Sequence, residues 1–133
     1  MSTEVYPPVR HLSMKRDMDL IRDILLHVEE DETLTGSRFK TFDSKDFAGH
    51  SDDEITYHVD LLFEAGLVDG SPNLHPLPAI SKLTWQGHEF IAATKDPQIW
   101  ASVKERLRGL PDIAMSLIAE IGKAEIKKKL GLP

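Results

Sequence analysis

Thr56, Tyr57 and His58 are adjacent side chains whose types and position fit a chemical task. They stand near the start of a predicted helix, where hydroxyl and imidazole groups can reach base edges or phosphates when the helix enters a DNA groove. An alternative of equal weight is that Tyr57 covers the rim of the core and that His58 is a solvated helix residue. We predict these three side chains as the base-contacting set and leave the alternative open.

Basic side chains that could hold phosphates lie on other segments. Lys15 and Arg16 fall in the first turn of the first predicted helix, and Lys82 lies in a predicted strand. Lysine and arginine contacts to phosphate position a protein on nucleic acid without reading its sequence. Surface charge paired with acidic neighbours is the commoner role for the first two. If DNA is bound, we predict these three residues as its phosphate contacts.

The charge of the chain opposes a role with nucleic acid. Residues 1–94 hold 8 basic and 17 acidic side chains, a net charge of −9, whereas residues 95–133 hold 8 basic and 5 acidic, a net charge of +3. The predicted helix that carries Thr56 has five acidic residues and no Lys or Arg. Because an acidic surface repels a polyanion, DNA binding requires a local basic patch or the C-terminal third of the chain.

Patterns typical of catalysis, metal binding or cofactor binding are missing from the sequence. The chain has no cysteine, which excludes disulfides, thiolate metal sites and thiol nucleophiles. It also lacks a Gly-rich phosphate loop and a G-x-S-x-G nucleophile motif. His50, Glu54 and His58 are spaced by four, but His50 precedes the helix that carries the other two. We expect no enzyme activity, no metal and no cofactor.

The composition is that of an ordinary globular domain, with 133 residues of which 41% are hydrophobic and 29% charged. This length supports a single core. The N-terminal residues contain no apolar signal segment, and no stretch approaches the roughly 18 apolar residues of a membrane span. We expect a cytoplasmic protein without a membrane partner.

Capping and turn signals divide the chain into helices and short strands. Ser51 and Glu54 have the spacing of a capping box, and Asp96 before Pro97 marks another helix start. Apolar residues spaced three and four apart define the helices, and short alternating runs define the strands. The predicted elements are a helix (14–30), an edge strand (38–42), a helix (52–65), a hairpin with strands starting at 67 and at 79–83, and helices at 85–93, 97–109 and 111–130.

The apolar stripes of these helices predict the core. The residues expected to be buried together are Ile21, Leu25 and Val28 of the first helix and Ile55, Val59, Leu62, Leu67 and Leu83. Trp85, Phe90 and Trp100 are predicted to seal the junction between the hairpin and the C-terminal helices. The last helix has a face too apolar for water, so it packs on its own chain or forms a homodimer. We predict the homodimer.

The order of the elements, together with short motifs, resembles a winged helix-turn-helix. Ile-Thr-Tyr-His-Val-Asp-Leu-Leu at 55–62, followed by Glu-Ala-Gly-Leu-Val at 64–68, resembles the recognition helix and first wing strand of ArsR-like and MarR-like bacterial regulators. The Leu-Thr-x-x-Gly-x-x-x-Ile pattern at 83–91 resembles the step from the second wing strand into the next helix. The resemblance implies a recognition helix at 52–65 and a wing between the two strands.

A longer resemblance covers the stretch from Met14 through Leu107. Met-Lys-Arg-Asp-Met-Asp-Leu-Ile-Arg, Ser-Asp-Asp-Glu-Ile-Thr-Tyr-His-Val and Leu-Thr-Trp-Gln-Gly-His-Glu-Phe resemble a family of small bacterial and phage proteins known as domain of unknown function 2513. This resemblance implies a fold and a prophage-like context, and it supplies no activity.

The sequence therefore predicts a mainly α protein of the α+β class, a winged helix-turn-helix with additional C-terminal helices. We divide it into an N-terminal arm (1–13), a winged-helix domain (14–94) and a C-terminal helical extension (95–133). The predicted function is DNA binding, as a phage- or prophage-type transcriptional regulator. The alternative is a module that binds another protein through its acidic face and does not bind DNA. A basic strip would favour DNA, whereas an acidic face beside an apolar groove would favour a protein.

Overall fold

The computed structural model describes residues 15–110 and 113–133. In chain order they form α1 (Met18–Glu30), α2 (Asp52–Glu64), β1 (Val68–Ser71), β2 (Ala79–Leu83), α3 (Trp85–Thr94), α4 (Pro97–Leu107) and α5 (Met115–Lys129). The described chain is thus mainly α with a small antiparallel sheet, as predicted. The predicted arm at 1–13 lies outside the described residues. Within the described ranges, no helix has the length and apolar character needed to cross a membrane.

α1 starts later than the apolar stripe predicts. Asp17 is its N-cap, because the Asp17 side chain accepts hydrogen bonds from the main-chain N–H groups of Asp19 and Leu20. An aspartate that accepts from the first-turn donors in this way fixes the start of a helix. Arg16 and Lys15 therefore precede α1 and do not form its first turn.

The two strands pair as the predicted hairpin. Val68 lies opposite Leu83 and Ser71 opposite Ala79, with an irregularity between Asp69 and Gly70. A Cβ atom at Gly70 would overlap the main-chain carbonyl oxygen of Ala79, so this position requires glycine.

The edge strand predicted over 38–42 is wrong in extent. Lys40 and Ile80 exchange two main-chain hydrogen bonds of 2.9 Å, and within residues 38–42 this single bridge is the only pairing with β2. Phe42 is buried and packs on Phe47, with 5.8 Å between the ring centres. Because Phe42 turns towards the core, the chain leaves the sheet after the bridge. All of residues 31–51 are described, and they contain no helix.

The predicted core is confirmed. Each of its members is at most 5% exposed, and all belong to one hydrophobic cluster: Ile21, Leu25, Val28, Ile55, Val59, Leu62, Leu67 and Leu83. The same cluster includes Ile99 and Val103 of α4 and Ile118 of α5. The C-terminal helices therefore share one core with the elements that precede them.

α5 packs against α3 and α4, which covers part of its apolar face within the chain. Ile118 is fully buried, and a Cβ atom at Gly122 would overlap the carbonyl oxygen of Ala93 on α3. Glu125, which is 8% exposed, forms a 2.6 Å ion pair with Arg106 of α4. Leu117 on the outward side remains 50% exposed. Only this outward side of α5 is free to contact a partner.

Candidate interaction surface on α2

The start of α2 is fixed by the predicted capping box. The Glu54 N–H donates to Ser51 Oγ at 3.1 Å, and the Ser51 N–H donates to Glu54 Oε1 at 2.9 Å. Asp52 Oδ1 accepts a 2.7 Å hydrogen bond from the Ser44 N–H. The Ser51 N–H lowers the pKa of Glu54, and the Ser44 N–H lowers the pKa of Asp52. Both carboxylates are therefore ionised at neutral pH and hold local structure.

His58 is not on the surface, so both sequence-based interpretations of it are wrong. It is 1% exposed, and its Nε2 accepts a 2.7 Å hydrogen bond from the Asp17 N–H. A main-chain N–H can only donate, so the ring proton lies on Nδ1, which donates to the Glu54 carbonyl oxygen at 2.7 Å. His58 thus joins the start of α1 to the first turn of α2 and is unavailable to a base or phosphate.

Arg16 also has a structural contact in place of the predicted phosphate. Its guanidinium donates to the main-chain carbonyl oxygen of Ile113, in the segment that precedes α5. Arg22 behaves in the same way and donates to the carbonyl oxygens of Thr94 at 2.9 Å and Lys95 at 2.7 Å. Both arginines thus tie the N-terminal part of the described chain to main-chain groups of its C-terminal half.

The outward face of α2 is a negatively charged stripe, which we call the acidic stripe (Asp53, Asp60 and Glu64). Thr56 and Tyr57 lie half-buried between these carboxylates. Burial, and then the charge of Glu64, raises the pKa of Asp60. α2 contains no Lys or Arg that could offset these charges. Thr56 and Tyr57, the two predicted DNA contacts on α2 besides His58, are thus surrounded by negative charge.

The predicted cations that remain exposed lie away from the acidic stripe in sequence. Lys15 and Lys82 are exposed and form no ion pair within the described part of the chain. Arg38 and Lys45 are also exposed and form no ion pair within the described part of the chain. They were not among the DNA contacts predicted from the sequence. No pattern marks them, because each is an isolated cation in a loop. The Lys82 side chain lies over Gly36, close to Arg38 in the chain.

Beside the acidic stripe lies an apolar cavity of about 250 Å³, which we call the α2 groove. Ile21, Leu61, Leu67 and Met115 line it, and Glu64 and Arg16 stand at its rim. Glu64 therefore belongs both to the acidic stripe and to the groove. The Arg16 guanidinium is bonded to the Ile113 carbonyl oxygen, whereas Glu64 forms no ion pair within the described residues. An apolar depression beside a charged stripe is typical of a surface that takes a side chain from another protein.

A further cavity of about 300 Å³ lies between α3 and α5, and we call it the Trp85 groove. Its apolar lining includes Leu67, Trp85, Met115 and Ala119. The prediction that Trp85 seals the core is wrong, because its side chain is 74% exposed. The same prediction is confirmed for Phe90 and Trp100, which are 2% and 4% exposed. Trp85 directly follows the N-cap Thr84, and its side chain points away from the core.

Comparison with known proteins places the chain in a family. The family described as hypothetical protein (DUF2513) matches residues 15–109, which span α1 to α4. The chain belongs to this family. A Haemophilus influenzae protein described as uncharacterized is 31% identical over 121 residues, which cover 88% of this chain and 99% of that protein. No solved structure matches significantly.

The family assignment confirms the resemblance that the motifs at 14–107 predict. Neither the family description nor that of the relative names an activity, so the chemistry of the surface carries the functional argument. Within the described ranges, no three His, Asp or Glu side chains lie close enough together to hold a metal ion.

Proposed function

We propose that this protein is a cytoplasmic protein-interaction module on a winged-helix frame, and that α2 presents its acidic stripe to a basic surface of another protein. The order of α1, the bridged segment at Lys40, α2, the β1–β2 hairpin and α3 supports the winged-helix frame. In such a frame α2 has the place of the recognition helix. The proposal concerns what that helix contacts.

The observation that carries the proposal is the charge of α2. Asp53, Asp60 and Glu64 face outward with no cation on the same helix, and Glu64 leads into the α2 groove. DNA would bring phosphates to these carboxylates, and the electrostatic repulsion would oppose binding. A protein with Lys or Arg around an apolar side chain would meet unlike charge on the stripe and an apolar cavity beside it.

Two of the six residues predicted to contact DNA already form hydrogen bonds within the chain. His58 has both ring nitrogens bonded, and Arg16 donates to Ile113. The remaining candidates are Thr56 and Tyr57 on α2 and Lys15 and Lys82 on other elements. This set lacks a basic group on the helix that would enter the groove.

Fluorescence anisotropy with a random DNA duplex tests the DNA side of this proposal. Wild-type protein should not saturate the duplex below roughly 100 μM at physiological salt, which is the weak end of nonspecific DNA binding. The double variant Asp60→Lys, Glu64→Lys should bind the duplex more tightly and with a steeper salt dependence. Glu105→Lys on α4 is the control for positive charge added away from α2, and it makes half the charge change of the double variant. Tight binding of the wild type would refute the proposal.

A DNA-binding regulator of phage or prophage type remains the second candidate. Its support is that Lys15, Arg38, Lys45 and Lys82 are exposed without ion pairs in the described ranges. Selection of duplexes from a random library tests it. An enriched site whose binding is lost in Tyr57→Ala and weakened in Lys82→Ala would favour the regulator over the protein-interaction module.

A further inference from the structure

The Trp85 groove is an apolar surface that the described chain leaves open. Trp85 is 74% exposed at its edge, and the cavity of about 300 Å³ is lined by Leu67, Met115 and Ala119. Tryptophan buries a large area when it is covered, so it is enriched at protein interfaces. The groove therefore has the character of one half of an interface.

Its rim carries both signs of charge. Glu89 of α3 and Glu120 of α5 flank Lys123, whose Nζ lies 4.0 Å from Glu89 and 3.3 Å from Glu120. One lysine lies between two carboxylates, so the rim has a net negative charge. An occupant with basic residues beside an apolar side chain would complement it.

The end of α5 carries that combination. Leu130 and Leu132 are 66% and 54% exposed, and they follow three consecutive lysines at 127–129. Among the described residues, Lys127 forms no ion pair. The surface of this chain thus holds both an acidic apolar groove and a basic apolar segment.

The segment at the end of α5 is held in place. The Gly131 N–H donates to the Lys128 carbonyl oxygen at 3.1 Å, and the Leu132 N–H donates to the Lys127 carbonyl oxygen at 2.8 Å. This pair of bonds is a Schellman motif, with Gly131 at φ +74°. Leu130 and Leu132 nevertheless remain 66% and 54% exposed, so both leucines are presented on an ordered helix end.

Both features lie along one side of α5. Ala119, Lys123, Lys127 and Leu130 follow one another at spacings of four, four and three, so they share a helix face. Ala119 and Lys123 line the groove, and Leu130 continues the same face beyond it. A second α5 that runs antiparallel along this face brings its basic end to the groove of the first, where Glu89 and Glu120 lie. A parallel arrangement would place like charges together.

We propose that a second copy of this chain covers the Trp85 groove, in a two-fold symmetric dimer whose α5 helices run antiparallel. Leu130 of each copy enters the groove of the other, and Lys127 of each copy meets Glu120 of the other. Two-fold symmetry makes every such contact occur twice, as in most homodimers. Leu67 and Met115 line both grooves, but the contacts proposed for this dimer lie on α3 and α5 and those proposed for the other partner on α2, so each can be tested by its own variants.

Sedimentation velocity of the full chain over a range of concentrations tests the proposal. We expect a reversible monomer–dimer equilibrium with a Kd on the order of micromolar, because the contact is small. Leu130→Glu should abolish the dimer. Glu120→Lys and Lys127→Glu should each raise the Kd about tenfold or more through like-charge contact. Glu105→Lys on α4 should leave the Kd unchanged.

An equimolar mixture of the Glu120→Lys and Lys127→Glu chains is the deciding arm. In the mixed dimer every Lys meets a Glu, so association should return to the wild-type level. A folding defect in either variant would not be repaired by mixing, which separates a lost contact from a lost fold. A wild type that stays monomeric at about 200 μM, well above the expected micromolar Kd, would overturn the proposal. A mixture that fails to associate would also overturn it.

Discussion

α2 and α5 are both amphipathic helices with one buried face, yet they differ in how their first turns are capped and in the charge of their outward faces. α2 begins at a reciprocal capping box and is joined to α1 through the two bonds of His58. α5 begins at Ala114, which offers no side-chain cap, and its outward side includes the exposed Leu117. α2 thus has a capped start and an outward face of one sign, which suits a basic surface of another protein. α5 has a mixed outward face and an open groove, which suits a copy of itself.

The largest expected difference between the two helices is in the burial of their leucines. Leu62 of α2 is completely buried, so Leu62→Ala should lower the free energy of unfolding by about 2 to 5 kcal/mol. Leu117 of α5 is half exposed, and Leu117→Ala should change the free energy of unfolding by less than about 0.5 kcal/mol. Urea melts measure both. A loss below about 0.5 kcal/mol for Leu62→Ala would overturn the placement of α2 in the core.

The bonds of His58 should give the next largest effect. His58→Ala removes a buried side chain and leaves the partly buried Asp17 N–H without an acceptor, and such an orphan costs about 1 to 3 kcal/mol. His88→Ala on α3 is the matched control, because His88 is exposed, and it should leave the unfolding midpoint unchanged. If the two histidine variants lose equal stability, His58 does not join α1 to α2.

The caps of the two helices should respond in opposite directions. Ser51→Ala removes the side-chain cap of α2 and should destabilise the protein by about 1 kcal/mol. Ala114→Ser supplies an acceptor at a residue with extended backbone (φ −58°, ψ 138°) and should stabilise the protein by about 0.5 to 1 kcal/mol. Thermal melts compare the two variants with the wild type. A destabilising Ala114→Ser would show that α5 does not begin at this residue.

The contrast between these helices also shows what the sequence could reveal. Capping is local, so Ser51 with Glu54 and Asp96 with Pro97 located helix starts correctly. The apolar stripes located the core for the same reason, since spacing along one helix decides which face is buried. The family could be recognised because its motifs lie within single elements.

Contacts between distant segments could not be predicted in this way. The bond between His58 and Asp17 joins residues far apart in the chain, and the contact of Arg16 with Ile113 does so as well. No local pattern marks either partner. Trp85 was wrongly predicted for a different reason. Tryptophan is usually buried, but this one directly follows an N-cap and is exposed. The predicted edge strand was wrong in extent because the Phe42 side chain is buried in the core, so the chain leaves β2 after the Lys40 bridge.

The smallest expected effect is the response of α2 to acid. The Ser51 N–H lowers the pKa of Glu54, so this carboxylate stabilises the fold above its unfolded pKa of about 4.3. That contribution is lost as the pH falls through the lowered folded pKa. Asp60 has the opposite sign, because burial raises its pKa and its protonation favours the fold.

Urea melts at neutral and acid pH measure this response. The stability gap between the wild type and Glu54→Gln should shrink as the pH falls below about 4.3. Asp60→Asn should show its largest relative gain at neutral pH, where the wild-type carboxylate is charged. A gap that does not change with pH for Glu54→Gln would show that the capping carboxylate is not stabilised in the fold.

Site-specific photo-crosslinking at position 57 is the most direct test of a protein partner on α2. Tyr57 lies half-buried between the carboxylates of the acidic stripe, so a photoreactive benzoylphenylalanine there reports what that face contacts in the cell. We expect a discrete protein adduct that disappears when Asp60→Lys is added and that is absent when the probe stands at Glu105. An adduct with DNA at position 57 would contradict the proposed function.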